Sequence, residues 1–424
     1  MPDRDVYRAP KGMLDVLPPA SARWIDVVTS FATLAQRYGF GLVLTPIVEH
    51  YEVFQRVGES TDVVTKEMYE FTDRGGRHLA LRPEGTAGVV RAFVQHRPPV
   101  PWKVWYVAPH FRAEAPQAGR YRQHWQVGVE VLGVDDAGVD VEVIALADAF
   151  YRDVGLKDVH LRVNSMGDSQ TLRRYSNALR EYWRSHASAI GNEIDRAETN
   201  PMRVLDWKRP DLAEVIEHAP QFDEFRSDES WAQWTQLQEG LQAIGLPYEV
   251  APRLVRGFDY YRGTVFEFAS SSLEAAQNGV GGGGRYDLLA EQMGGPPTPG
   301  IGFGIGIERV LLALDSEGAV PVAPGIDVFV VDMVGGTESL RVLQELRALG
   351  LSADRAYGGR SVKKQWSAAD KAGARYGVML GARELAEGNV AIKHLGSGEQ
   401  IDVHRDEVAA WLKTRIDQNR NLLS

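Results

Sequence analysis

The sequence predicts an α+β fold: an antiparallel-sheet core flanked by helices and interrupted by a helical insertion, then a small C-terminal α/β domain. Three observations carry this reading. Through residue 168, and again from 246 to 318, strand-like runs are followed by isolated helices with no regular βαβ rhythm. Between Ser169 and Ala243 the pattern turns helical and polar, broken by Pro201, Pro210 and Pro220. Beyond the Pro- and Ala-rich AVPVAPG at 319–325, strands and helices alternate steadily. With 424 residues the chain is too long for one ordinary core. The expected division is therefore a core in two parts (1–168 and 246–318), an insertion (169–245), a linker (319–325) and a terminal domain (326–424).

The elements follow in order. WIDVVTSFATLAQRYG places apolar residues at helical spacing and stops at Gly39. GLVLTPIVEH reads as a strand, and Pro46 inside it, having no N–H to give a ladder, puts that strand at a sheet edge or an interface. MYEFTDRGGRHLALRP reads as a hairpin turning near Gly75-Gly76, and TAGVVRAFVQH as a helix. KVWYVAPHFRAE and RQHWQVGVEVLG are two strands joined around Gly119. Residues 136–155 form a helix, DVHLRVNSMGD a strand and turn, and 247–268 return to strand patterning. GVGGGGR (279–285) reads as a glycine-rich turn, and FGIGIERVLLALDSEG as a strand running into a helix. In the terminal domain, IDVFVVDMV is a buried-type strand and TESLRVLQELRALG an amphipathic helix ending at Gly350. SADRAY, ADKAGARYGVMLG and NVAIKHL continue the alternation into a mostly parallel sheet.

Composition narrows the function classes. Hydrophobic residues make up 44% and charged residues 25%, as in a globular protein. There is no cysteine, which excludes disulfides and thiolate metal sites. MPDRDVYRAPKG has no apolar core of a signal peptide, and no apolar run approaches the roughly 20 residues that span a bilayer. A cytoplasmic enzyme is the expectation. The net charge of −10 argues against indiscriminate nucleic-acid binding, which rests on phosphate neutralisation, but leaves room for a local basic surface.

No G-x-x-x-x-G-K-[ST] occurs, no G-x-G-x-x-G follows a strand within a βαβ unit, and the ten histidines form no H-E-x-x-H. A P-loop, a Rossmann crevice and a protein-held zinc are therefore not expected. Arginines inside strand-like sequence stand out instead: Arg112 in VAPHFRAE, Arg256 in RLVRGFDYY, Arg309 in GIERV. Charge enters apolar sequence only when something anionic awaits it. One such arginine is explained by an internal carboxylate. Three, from distant segments, favour a shared anion. Guanidinium groups suit a developing phosphate charge, because two oxygens can be held at fixed geometry.

LRPEGT, FRAEAPQAGRYRQ, LVRGFDYYRGTVFEF, GVGGGGRYD and GIGFGIGIERV, taken with PIVEHYEVFQRVGESTD, resemble in order the signature segments of the histidyl-tRNA synthetases. DRAYGGRSVKKQWSAADKAGARYGVMLG is similar to their anticodon-binding domain. The resemblance implies a class II catalytic core working as a homodimer, ATP with Mg2+, L-histidine and tRNA(His) as partners, and no protein-held metal. It implies that Glu84, Gly85 and Thr86 hold the α-ammonium of histidine. Arg112 would clamp the α-phosphate and the amino-acid carboxylate, Arg256 would reach the α-phosphate from the other side, and Arg309 would meet adenine and the γ-phosphate, making these three the catalytic residues. Glu114 would receive the adenine amino group. Glu130 and Tyr261 would address the two imidazole nitrogens, with Tyr260 and Gln126 completing the wall; strand alternation would send one of the two neighbouring tyrosines into sheet packing. Gln117, Arg120 and Arg122 would meet the tRNA acceptor end. Relatives commonly read FRYERPQ or FRHERPQ in that loop, where this chain has Ala113 and Ala115 and lacks the second arginine.

The alternative within the same resemblance is a synthetase-like regulatory subunit of histidine biosynthesis that binds histidine without charging tRNA. Such proteins generally lack the anticodon domain and erode the LVRGxDYY segment. This chain keeps both.

Overall fold

The computed structural model describes residues 7–56, 62–207, 209–254, 260–274, 278–318, 325–335 and 337–421. The chain divides into two compact units, Met1–Pro321 and Val322–Ser424. Of the expected linker, only Gly325 is among the described residues.

The strands of the first unit are β1 (Gly41–Leu42), β2 (Val48–His50), β3 (Tyr69–Thr72), β4 (His78–Leu81), β5 (Trp102–Phe111), β6 (Gln123–Leu132), β7 (Val159–Ser165), β8 (Glu249–Val250), β9 (Arg262–Ser270), β10 (Gly279–Arg285) and β11 (Gly300–Gly306). Eight of them make one sheet in the order β1-β5-β6-β11-β10-β9-β7-β8. Its middle is antiparallel throughout, while β1 and β8 join the edges in parallel. β2, β4 and β3 form a small antiparallel sheet beside it.

Period-two alternation gives the large sheet two unlike faces. Val127, Val129, Val131, Phe303, Ile305, Phe266 and Phe268 all belong to one buried cluster, packed with Phe31 and Phe150 from the helices Ala20–Arg37 and Ala137–Asp153. On the other face, the register aligns Tyr106, Gly128, Gly304, Gly282 and Glu267 in a row across β5, β6, β11, β10 and β9. Three consecutive positions in that row have no side chain, so a trough is cut across the sheet.

Two expectations are corrected here. GVGGGGR is a central strand, not a turn. Its neighbours explain the composition: a Cβ at Gly283 would stand 1.9 Å from the Gly302 carbonyl oxygen, and one at Gly284 would stand 2.5 Å from that of Thr264. Close approach of backbones selected glycine, and tertiary pairing overrode its turn preference. GLVLTPIVEH is not one strand either. β1 pairs with the large sheet and β2 with the small one, and the chain changes sheets around Pro46, which cannot donate to either ladder.

Helices dominate 169–243, but they do not share one core. Tyr175, Leu179, Trp183, Val204, Leu212 and Phe222 cluster together, whereas Trp234, Leu237 and Leu241 of the helix Asp228–Ala243 join the main core. Within 247–268, the described strands are β8 and the start of β9; the Pro252 and Leu254 carbonyls between them accept from the Asn164 side chain.

The second unit holds β12 (Val328–Asp332), β13 (Ala353–Arg355), β14 (Tyr376–Leu380), β15 (Asn389–His394) and β16 (Gln400–His404), in the order β13-β12-β14-β15-β16. The expected mostly parallel sheet is half parallel. β13, β12 and β14 run together, while β15 and β16 return antiparallel. The turn between them carries Gly396 and Gly398, a hairpin signal that the alternation obscured. Among the described residues, no helix is long and apolar enough to cross a membrane.

Candidate active site

A cavity of about 430 Å3 lies over the glycine trough. Its wall draws on eight separated stretches of chain: Val63 and Glu67; Glu84, Gly85 and Thr86; Tyr106; Arg112, Glu114 and Arg120; His124 and Gln126; Tyr260, Tyr261 and Glu267; Gly279 to Gly282; and Gly304, Gly306, Glu308 and Arg309.

The first wall is a helix start. Thr86–His96 begins a helix whose first amides need acceptors. The Glu84 carboxylate takes the N–H groups of Thr86 and Ala87 at 2.6 and 2.8 Å. Burial pushes its pKa up, and these bonds and Arg112 oppose the shift. Thr86 Oγ1 in turn donates to Glu130 Oε1 at 2.7 Å, and the Tyr286 hydroxyl donates to Glu130 Oε2 at 2.5 Å. Glu130 is wholly buried and lies behind the wall rather than on it; burial raises its pKa to about 8. Gly302 makes room for it, since a Cβ there would stand 1.8 Å from Glu130 Oε2.

Tyr106 is held by two more glycines. A Cβ at Gly85 or at Gly128 would come within 2.6 or 2.5 Å of its ring. Tyr260 and Tyr261 both face the cavity, with ring centroids 4.6 Å apart. They precede the first residue of β9, so strand alternation does not separate them, contrary to the expectation.

The second wall is the hairpin between β5 and β6. Gln117 and Arg120 exchange two backbone bonds at 2.9 Å, closing the tip, with Gly119 at φ +70°. Gly119 rests on Arg309 and Leu312, where a Cβ would meet side-chain carbons at 3.4 and 3.2 Å. Arg112 Nε donates to the Pro83 carbonyl at 3.0 Å, which ties the arginine to the Glu84 loop. Arg309 Nε donates to the Gly279 carbonyl at 2.5 Å. Burial, and then Arg120 beside it, lower the Arg309 pKa. This crowding of cations is the arrangement that an anionic ligand would relieve.

Arg120 faces the cavity, whereas Gln117 and Arg122 lie away from its lining. Arg122 is tied back: its amide donates to Gly12 O at 2.7 Å and its Nε to Glu114 O at 3.3 Å. Arg256 lies outside the described residues.

Sequence reasoning passed over Tyr106, Glu67, His124, Glu267 and Glu308, all of which line the cavity. Strand parity could have found two of them. His124 shares the face of Gln126 and Glu130 on β6, and Tyr106 shares that of Arg112 on the continuing line of β5. Burial and then Arg112 drive the His124 pKa down to about 3, so the ring is neutral. Glu308 accepts the Trp125 N–H at 3.0 Å, and burial lifts its pKa to about 7.

Comparison with known proteins bears on the whole chain. A family model described as histidyl-tRNA synthetase matches residues 12–310, and one described as anticodon binding domain matches residues 327–415. The histidine–tRNA ligase of Rhodococcus erythropolis is 47% identical, over 98% of this chain and 100% of its own. That of Nocardia farcinica is 46% identical, over 97% and 98%. Among solved structures, apo S. aureus histidyl-tRNA synthetase superposes with a TM-score of 0.82 at 34% identity, covering 96% of this chain and 100% of that one. A Bacillus halodurans protein described as an ATP phosphoribosyltransferase regulatory subunit/histidyl-tRNA synthetase superposes with a TM-score of 0.66 over 89% of this chain and 99% of its own, but at 22% identity this likeness speaks to the fold alone.

Proposed function

We infer that this chain, which belongs to the histidyl-tRNA synthetase family, activates histidine with ATP and charges tRNA with it. The observation that carries the chemistry is the convergence of Arg112, Arg120 and Arg309 on one cavity, beside a pocket walled by Glu84, Thr86, Tyr260 and Tyr261. The regulatory alternative has less support, because relatives bearing the ligase name match this chain end to end.

The residue roles are proposals. Glu84 and Thr86 hold the α-ammonium of histidine, with Gly85 leaving space for it. Arg112 bridges the substrate carboxylate and the α-phosphate, and Arg309 neutralises the far phosphates while Glu114 takes the adenine amino group. Arg256 keeps the role that the resemblance gives it. The histidine carboxylate attacks the α-phosphorus, the α–β bond breaks, and pyrophosphate leaves. Little proton transfer is required, so positioning and charge dominate. Tyr261 and Gln126 hold one side of the imidazole. Glu130 accepts its N–H when Thr86 or Tyr286 gives way, and this acceptance favours the ionised carboxylate.

Among the described residues no group of three or more metal-binding side chains is gathered. Mg2+, as the resemblance implies it, would be held mostly by phosphate oxygens and water, with Glu267 among the carboxylates on the cavity wall, and would supply charge neutralisation there. Gln117 and Arg120 present the hairpin tip to the acceptor end, where Ala113 and Ala115 make the contact leaner. Leu42, Leu44, Ile47 and Val48, all exposed around Pro46, would bury against a second copy. Charging tRNA places the work in the cytoplasm.

The test is pyrophosphate exchange with each of the twenty amino acids, then charging of tRNA. Exchange should require histidine. Exchange with another amino acid, or histidine binding without exchange, would overturn the reading. Arg256→Ala should abolish exchange and leave histidine binding largely intact.

A further inference from the structure

His110 is wholly buried on β5, and neither of its ring nitrogens has a hydrogen-bond partner among the described residues. Buried polar groups are nearly always paired, so this exception calls for a reason. Burial, and then His124, Arg82 and Arg112, drive its pKa well down. The ring is therefore neutral, with one N–H to give and one nitrogen to accept. Arg82 and Arg112 can only donate. Arg82 is also fixed in place, its Nε on the Pro109 carbonyl at 2.8 Å and its Nη1 on that of Thr45 at 3.0 Å.

His124 is the cross-strand partner of His110 on β6, with ring centroids 5.8 Å apart and planes at 41°. Unlike His110, it lines the cavity. Its Nδ1–H donates to the Tyr121 carbonyl at 3.3 Å, longer than is usual for such a bond, which leaves Nε2 to accept. A buried donor with nothing to give to stands beside a loosely held ring that can accept. An approach of roughly 1 Å would join them. The order of strands gives that approach a direction. β6 lies between β5 and β11, so His110 is on one side of His124, while Arg309, just beyond the end of β11, is on the other. A ligand entering between Arg309 and His124 presses the ring toward β5 and His110.

We propose that His110 is a positioning residue for the nucleotide: its N–H locks the His124 ring when ATP occupies the cavity, so that this donor is satisfied only in the ATP complex. The proposal rests on the reading of the cavity as the ATP site. The relay runs from His110 N–H to His124 Nε2, and from His124 Nδ1–H to the Tyr121 carbonyl. It ties to β5 the hairpin arm that carries Arg120 and Arg122.

The test uses the full chain with His110→Leu, His124→Phe and the two together. ATP and histidine KM are read in pyrophosphate exchange, and Tm is read with and without ATP. His110→Leu should raise the ATP KM about five- to tenfold, the worth of one hydrogen bond, and leave the histidine KM alone. Without ATP its Tm should hold or rise, because the unpaired donor is gone. In the His124→Phe background, which has no acceptor, His110→Leu should cost nothing further. A purely structural His110 would do the reverse: Tm would fall and the ATP KM would stay. A crystal structure of the unaltered chain with a non-hydrolysable ATP analogue needs no variant, and there the nearest nitrogens of the two rings should stand within about 3.2 Å. The lock is overturned by an unchanged ATP KM in folded His110→Leu, by losses that multiply in the double variant, or by rings that stay apart with the analogue bound. If the unaltered chain shows neither exchange nor a Tm shift with ATP, the reading of the cavity falls instead.

Discussion

The two faces of the eight-stranded sheet are made from the same strands and have opposite chemistry. On β6 and β11, Val127, Val129, Val131, Phe303 and Ile305 point into the helices, while Gln126, Gly128, Glu130, Gly302 and Gly304 point the other way. One face is built by adding volume and the other by removing it. The packed face supplies the burial that holds the sheet. The bare face leaves a trough whose ends are Tyr106 and Glu267 and whose rim carries arginines that an ordinary core would reject. A site of this kind is rigid because its floor is backbone, paired on both sides.

Substitutions on the two faces should fail differently. Phe303→Ala removes a ring that is 3% exposed and touches both Phe31 and Phe266. A loss of about 3–5 kcal/mol is expected, read as a fall in Tm or denaturant midpoint. The KM values of the remaining folded enzyme should stay near normal; a change in histidine KM alone would blur the distinction between the faces.

Glu130 sits where the faces meet in function, because it is buried as a core residue yet tied to the site through Thr86. Its pKa is raised from an ordinary 4.5 to about 8, so the folded chain holds a proton that the unfolded chain has released. The sign follows from that difference: between about pH 4.5 and 8, its contribution to stability falls as pH rises. Glu130→Gln should flatten that slope and raise the histidine KM at least about tenfold, with little change for ATP, as expected when a buried polar partner is lost. Over pH 6.5–8.5 the histidine KM of the unaltered chain should fall as the carboxylate ionises, and the variant should not follow. Equal losses for both substrates would make Glu130 a folding residue only.

The smallest effect belongs to a cap. Asp136 accepts the Gly138 N–H at 2.7 Å and starts the helix Ala137–Asp153 on the packed face. Asp136→Ala should cost about 1 kcal/mol and leave pyrophosphate exchange alone. An effect on exchange would show that the packed face transmits to the site.

Much of this architecture was readable because local and tertiary preferences agree. TAGVVRAFVQH is a helix over Thr86–His96 as its spacing predicts, and the strands around Arg112 and Glu130 fall where alternation puts them. Reading failed where they conflict. GVGGGGR has turn composition and a strand's position, because what it needs is set by Gly302 and Thr264 on the neighbouring strands. Pro46 marked an edge correctly in kind, but the chain breaks there and joins a second sheet. In the site, motif residues were legible one by one. The row that joins Tyr106 to Glu267 depends on register across five strands, which no single segment contains. Glu130 was placed on the right strand and face, but its burial behind Thr86 and Tyr286 required the third dimension.

The most direct test sets two neighbours against each other. Gly304 adjoins Phe303 on β11 and faces the trough, where the atoms nearest an added Cβ would be the ends of Gln126 and Tyr106, at 3.2 and 3.7 Å. Gly304→Val should therefore fill the floor, cut histidine-dependent pyrophosphate exchange by about a hundredfold or more, an effect near 2.7 kcal/mol in the barrier, and leave Tm almost unchanged. Normal exchange in a stable Gly304→Val protein would contradict the account.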